Sequence, residues 1–138
     1  MAGRTEGTRE VYVDTSALIA FLDKSDSYHP LYRRLFSQPP PLATSALVIA
    51  EGHGWFLRRY DGRRAIEFLG FVDELPRLRI EPFDQAQVAA VRQLVLRFAD
   101  QSLTLADTHG LAIMNQRRIR TCWSTDRHLG LCGADLTS

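Results

Sequence analysis

The segment VYVDTSALIAFL, Val11 to Leu22, sets one acid inside an otherwise nearly apolar run. A stretch this apolar belongs in a core, where an isolated charge is costly. Asp14 must therefore stand at an edge of that core, or something must compensate it. The three residues before it, Val-Tyr-Val, are β-branched and aromatic and read as a short buried strand. SALIAFLDK after it reads as a helix, with Thr15 or Ser16 as its cap.

The rest of the chain repeats that alternation. Ser27 to Ser37 is helical, with Leu31, Leu35 and Phe36 in helical spacing, until Pro39-Pro40-Pro41 breaks it. Leu42-Ala43 is a very short strand, and Thr44 or Ser45 caps a helix to about Tyr60. Further helices are expected from Arg63 to Leu75, from the cap Asp84 to about Ala99, and from the cap Thr104 to about Arg118. Strands are expected at Leu78–Ile80 and Ile119–Ser124, a turn or short helix at Asp126–Gly130, and an edge strand in the last residues. Short strands alternating with longer helices give an α/β domain with a mostly parallel sheet covered by helices.

At 138 residues the chain reads as one domain over 11–138, behind a polar lead-in at 1–10. No apolar run approaches the length of a membrane span and MAGRTEGTRE lacks a signal-peptide core, so a cytoplasmic location is expected and no membrane partner. Cys122 and Cys132 are too few for a disulfide framework and not in zinc spacing. The net charge of +1 gives no global case for nucleic acid. Of 17 basic side chains all but Lys24 are Arg, a bias that a GC-rich genome also produces. Two local clusters stand as candidates for backbone phosphates: Arg58-Arg59 with Arg63-Arg64, and Arg117-Arg118 with Arg120. A solvated helix end is the alternative reading of each.

Four acids carry the chemistry. In open parallel sheets, sites form outside the carboxyl ends of the strands. Asp14 closes the first strand and Asp126 follows the strand ending at Ser124, so both point to the same sheet edge. In the helix from Ser45, the residues Leu47, Val48, Glu51 and Trp55 share one face, which puts Glu51 at the centre of the apolar side. In LTLADTHGLAIM, Leu103, Asp107, Gly110, Leu111 and Met114 form one stripe, with Gly110 opening space beside Asp107. Four inward acids would repel one another, and burial would raise their pKa values. A divalent cation reverses that balance, and an all-oxygen donor set suits Mg²⁺ or Mn²⁺. The alternative is that Arg side chains neutralise each acid separately. The four histidines, His29, His53, His109 and His128, are scattered and form no ligand set, though His109 and His128 lie within two residues of the acids. Ser16 reads as a cap or a hydroxyl donor to an acid rather than as a nucleophile.

These segments resemble a known family. VYVDTSALIAFLD, SALVIAEGHGWFLRRYDGRRAIEFL and FADQSLTLADTHGLAIMNQRRIRTCWSTDRHL are similar to the PIN-domain ribonucleases, and within them to VapC-type toxins of toxin–antitoxin pairs. The resemblance runs from about Val11 to Leu136. It implies a three-layer α/β/α sandwich around four or five short strands. It makes Asp14, Glu51, Asp107 and Asp126 the catalytic, metal-binding acids, with Ser16, Asp100 and Ser124 supporting them. It further implies RNA as substrate (transfer, ribosomal or messenger), a cognate antitoxin protein and a homodimer. Leu31, Leu35 and Phe36 could serve that dimer or the core. Leu129 stands where the family has Phe, and Gly52 and Gly54 weaken their helix by about 1 kcal/mol each. Two other readings remain. An aspartyl-phosphate enzyme would need a second acid where Ser16 stands, and a Lys at the site. A non-catalytic RNA- or protein-binding module would not need all four acids.

Overall fold

The computed structural model describes residues 9–126 and the backbone of 135–137. Five parallel strands form one sheet: β1 (Val11–Val13), β2 (Leu42–Ser45), β3 (Leu78–Glu81), β4 (Thr121–Trp123) and β5 (Asp135–Thr137). Their order is β3-β2-β1-β4-β5, so β1 is central. Between the strands run α1 (Thr15–Leu22), α2 (His29–Leu35), α3 (Ala46–Arg59), α4 (Gly62–Glu74), α5 (Gln85–Arg97) and α6 (Leu105–Arg117). A 3-10 turn, Ala99–Gln101, links α5 to α6.

The strands sort their side chains by parity, as a pleated sheet must. Val11, Val13, Leu42 and Trp123 face a core shared with α1 to α4. Tyr12, Ala43 and Cys122 face the other way, against Leu111, Ile113 and Met114 of α6. Both sheet faces are thereby covered, the three-layer arrangement expected of an α/β chain with parallel strands. The first core is aromatic. Phe36 meets Trp123 edge-on at 5.0 Å and Phe21 at 5.3 Å, and Phe21 stacks on Phe71 at 4.4 Å. Phe36 is therefore interior, with Leu31 and Leu35 partly buried against the same cluster.

Several boundaries move from their sequence expectations. Asp14, rather than Thr15 or Ser16, is the N-cap residue of α1. β4 begins at Thr121 rather than Ile119 because Arg118, at φ 58°, ends α6 in a left-handed turn. The second helical segment shortens to His29–Leu35, with Pro30 in its first turn. α5 stops at Arg97, before the 3-10 turn. Two glycines are places of close approach rather than helix defects. A Cβ on Gly52 would lie 2.1 Å from the Phe68 ring, and one on Gly110 would lie 2.7 Å from the Tyr12 ring. Gly110 thus makes room for Tyr12, not for open space beside Asp107. Glu10, which the sequence placed in the lead-in, is buried and paired with Arg117 at 2.9 Å. Residues 1–8, the expected turn beyond Asp126, His128 and Cys132 lie outside the described residues.

Candidate active site

β1 sends its chain to β2 on one side, while its neighbour β4 sends its chain to β5 on the other. That divergence opens a crevice beyond the carboxyl ends of β1 and β4, where open α/β sheets hold their ligands. Asp14 follows β1 directly, and its N–H continues the ladder to the Trp123 carbonyl at 3.0 Å. Ser124 and Asp126 follow β4. The topology alone therefore brings the first and last of the four candidate acids to one place.

Asp14 is only 4% exposed. Ser16 Oγ donates to its Oδ2 at 2.9 Å, and Ser124 Oγ donates to the same oxygen at 3.0 Å. Ser16 and Ser124 also meet each other at 3.2 Å, and the Thr125 N–H donates to Ser16 Oγ at 3.0 Å. This hydroxyl web fixes the rotation of the carboxylate. It does not neutralise it: no Arg, Lys or His among the described residues forms an ion pair with Asp14. Burial, and then the negative charge of Asp107, push its pKa up to about 6, against the pull of the Ser16 and Ser124 hydroxyls and the Thr15 amide.

The other acids arrive on helices. Asp107 lies in the first turn of α6, where Thr104 Oγ1 accepts its N–H and its own carboxylate accepts the Thr104 N–H, a capping box. The helix start thereby orients the carboxylate whose charge reaches Asp14. Asp126 is half-buried, and its N–H donates to Ser124 Oγ at 2.9 Å. Burial pushes the Cys122 thiol well up, and the charges of Asp14, Asp107 and Asp126 add to that shift. All three acids therefore lie within electrostatic reach of the Cys122 thiol on β4.

Glu51 is not at the centre of the apolar face of α3. That stripe is Val48, Gly52 and Phe56, because Gly52 is the residue that admits Phe68 of α4. Glu51 stands at its margin, half-buried, where Thr15 Oγ1 donates to Oε1 at 2.9 Å. Thr15 follows Asp14 directly, so this bond ties Glu51 to the crevice. The cap expected at Thr15 or Ser16 falls instead to Asp14, which leaves the Thr15 hydroxyl to Glu51. A hydroxyl immediately after a strand-end acid was the signal for that role.

The remaining sequence candidates lie elsewhere. Asp100 is on the surface in the 3-10 turn and accepts a bond from Gln101 Nε2 at 3.3 Å. Arg58 and Arg59 are exposed at the far end of α3, about 11 Å of helix beyond Glu51. Arg117 and Arg118 end α6 at the opposite edge of the sheet from Asp14, and Arg117 is held by Glu10.

Among the described residues no three acidic, His or Cys groups cage a metal by themselves. The donors do fit a cation that retains part of its water shell, as Mg²⁺ does on one or two carboxylates. A buried carboxylate within reach of the charge of a second acid, with no ion-pair partner among the described residues, is the observation that supports the fit.

The PIN domain family model matches residues 11–130, and the chain belongs to that family. No curated protein matches the sequence significantly. Among solved structures it resembles Mycobacterium tuberculosis VapC20, a sarcin-ricin loop cleaving toxin, at TM-score 0.82 and 22% identity, covering 90% of this chain and 95% of that one. It also resembles FitAcB from Neisseria gonorrhoeae at TM-score 0.64 and 19% identity, over 93% and 96% of the two chains. VapBC2 from Rickettsia felis, bound to a DNA fragment from its promoter, matches at 0.61 and 16%, over 93% and 97%. At these identities the likeness is one of fold. No helix among the described residues is long and apolar enough to cross a membrane.

Proposed function

We propose that this chain is a metal-dependent endoribonuclease and the toxin of a VapBC-type toxin–antitoxin pair. One observation carries the reading: Asp14 is buried at the topological switch point, faces the charge of Asp107, and among the described residues has hydroxyls but no ion-pair partner around it. A carboxylate with a purely structural task would be neutralised or left in water. Asp14, Asp107 and Asp126, with Glu51, are the residues that would hold Mg²⁺ or Mn²⁺. When bound, such a cation polarises a phosphodiester and lowers the pKa of water. The chain's own groups set the stage for that. Ser16 and Ser124 lock the Asp14 carboxylate, the capping box aims Asp107, and Thr15 holds Glu51 at the crevice margin, where it can accept a proton from an attacking water.

RNA enters this reading through the family and through the structural neighbour described as a sarcin-ricin loop cleaving toxin. The antitoxin partner enters through likeness to the VapBC2 complex. Arg58 and Arg59 are the exposed cations on the helix that carries Glu51, and they are assigned to RNA backbone. A homodimer belongs to the same reading. The deciding experiment incubates purified protein with structured RNA in Mg²⁺, in Mn²⁺ and in EDTA, beside folded Asp14→Asn and Asp107→Asn variants. Cleavage should need the metal and both acids. Full activity in both variants, or in EDTA, defeats the proposal.

A further inference from the structure

Ser45 closes β2 and caps α3, while His109 sits early on α6. Their side chains meet in the interior, with Ser45 Oγ 2.6 Å from His109 Nδ1. The two residues are 0% and 1% exposed. Ser45 Oγ also accepts the Leu47 N–H at 2.9 Å, and the His109 tautomer sets which of the pair donates. The imidazole is also fixed edge-on against Phe83, at 4.9 Å and 65°.

The placement of this pair matters more than its burial. Ser45 starts the helix that carries Glu51, and His109 lies two residues after Asp107 on the other acid-bearing helix. α6 packs on both β2 and α3, so the pair lies in the seam between the two helices. Apolar contacts in a seam tolerate sliding, whereas a buried hydrogen bond has one length and one direction. His109 is also the wrong residue for plain filling, since its polar atoms need partners once buried.

We propose that His109 is a positioning residue: its bond to Ser45 fixes α3 against α6, and so fixes Glu51 and Asp107 about Asp14. The proposal rests on the reading that these acids hold a divalent cation. His109 itself touches neither cation nor RNA.

The test compares His109→Phe with His109→Asn, using Mn²⁺ titration calorimetry and RNA cleavage, with circular dichroism to verify folding. Phe keeps a ring against Phe83 but offers no hydrogen-bonding atom, and should lower Mn²⁺ affinity and cleavage at least about tenfold. Asn places a side-chain amide, which can accept or donate, near where Nδ1 stood and should recover most of both. Wild-type Mn²⁺ affinity in the Phe variant, or no recovery in the Asn variant, overturns the proposal. Should the His109 variants not fold, Ser45→Gly deletes the same bond from the other side, since glycine is a tolerated N-cap. It must show the same loss, and unchanged Mn²⁺ affinity there overturns the proposal too. A wild-type protein that binds Mn²⁺ but cuts no RNA defeats the nuclease reading, while the titrations still decide the role of His109.

Discussion

Ser124 Oγ donates a hydrogen bond to Asp14 Oδ2 at 3.0 Å, joining the ends of two adjacent parallel strands across the switch point. Both residues are buried, at 0% and 4% exposure, so the bond is shielded from water. It works together with Ser16 against the burial that raises the Asp14 pKa. Removing it should therefore raise that pKa further. Ser124→Ala is expected to lower cleavage by about tenfold to a hundredfold at neutral pH. It should also move the acidic limb of the pH–rate profile to higher pH, because ionised Asp14 becomes scarcer at a given pH. An unmoved limb would mean that Ser124 supports the β4 turn without tuning the acid.

The same carboxylate should make the metal-free protein less stable as pH rises. Its folded pKa is about 6 against an ordinary 3.8. Between those values the folded state binds the proton more tightly than the unfolded chain does, so stability falls with rising pH. The contribution is fully present below about 3.8 and is lost through about 6. Asp14→Asn abolishes this dependence. In EDTA the variant should be more stable than wild type at pH 8 by up to about 3 kcal/mol, with the difference vanishing near pH 4. Thermal melts at the two pH values measure it. The variant should at the same time be inactive, as expected where function sets a charge in a core.

Gly110 and Gly52 test the packing that aims the helices. A Cβ on Gly110 would meet the ring of Tyr12, which is fully buried on the central strand and cannot retreat. A Cβ on Gly52 would meet the fully buried Phe68 ring. Each Gly→Ala change should cost about 1–3 kcal/mol by overpacking, despite the better helix propensity of Ala. Gly110→Ala should also cut activity well below that of Gly52→Ala at equal stability, because it pushes out the helix that carries Asp107. Urea unfolding followed by assays on folded protein separates the two effects.

The sequence made the strand-to-helix turn at Asp14 legible because a charge in an apolar run has few explanations. It made the parallel sheet legible because the strands are short and the helices long. Helical periodicity misplaced Glu51, since it assigns one face to a helix without knowing which neighbour lies against it. In the structure α4 takes the Val48–Gly52–Phe56 stripe, and Glu51 is left at the margin. The Thr15–Glu51 and Ser45–His109 bonds span 36 and 64 residues. Nothing local in the chain announces such bonds, and polar residues read singly look like caps. Charge in sequence likewise says nothing about which sheet edge a helix end reaches: Arg117 ends α6 at the edge opposite Asp14.

Arg117 makes that last point measurable. Its guanidinium binds the Glu10 carboxylate at 2.9 and 3.2 Å through Nη2, with Nε at 3.2 Å. Glu10 is buried to 9% exposure, and its other cation, Arg79, stands off at 3.9 Å. Arg117→Ala would leave that carboxylate poorly paired in a mostly dry setting, at a cost of about 1–3 kcal/mol. Because the pair lies at the sheet edge opposite Asp14, RNA affinity should not change. Arg58→Ala with Arg59→Ala should do the reverse. It should leave stability within about 0.5 kcal/mol, as expected for exposed side chains, while raising KM for RNA and reducing its salt dependence. Melting curves and cleavage kinetics at two salt concentrations discriminate the two sites. A raised KM and a shallower salt slope for Arg117→Ala would place RNA on the far edge of the sheet.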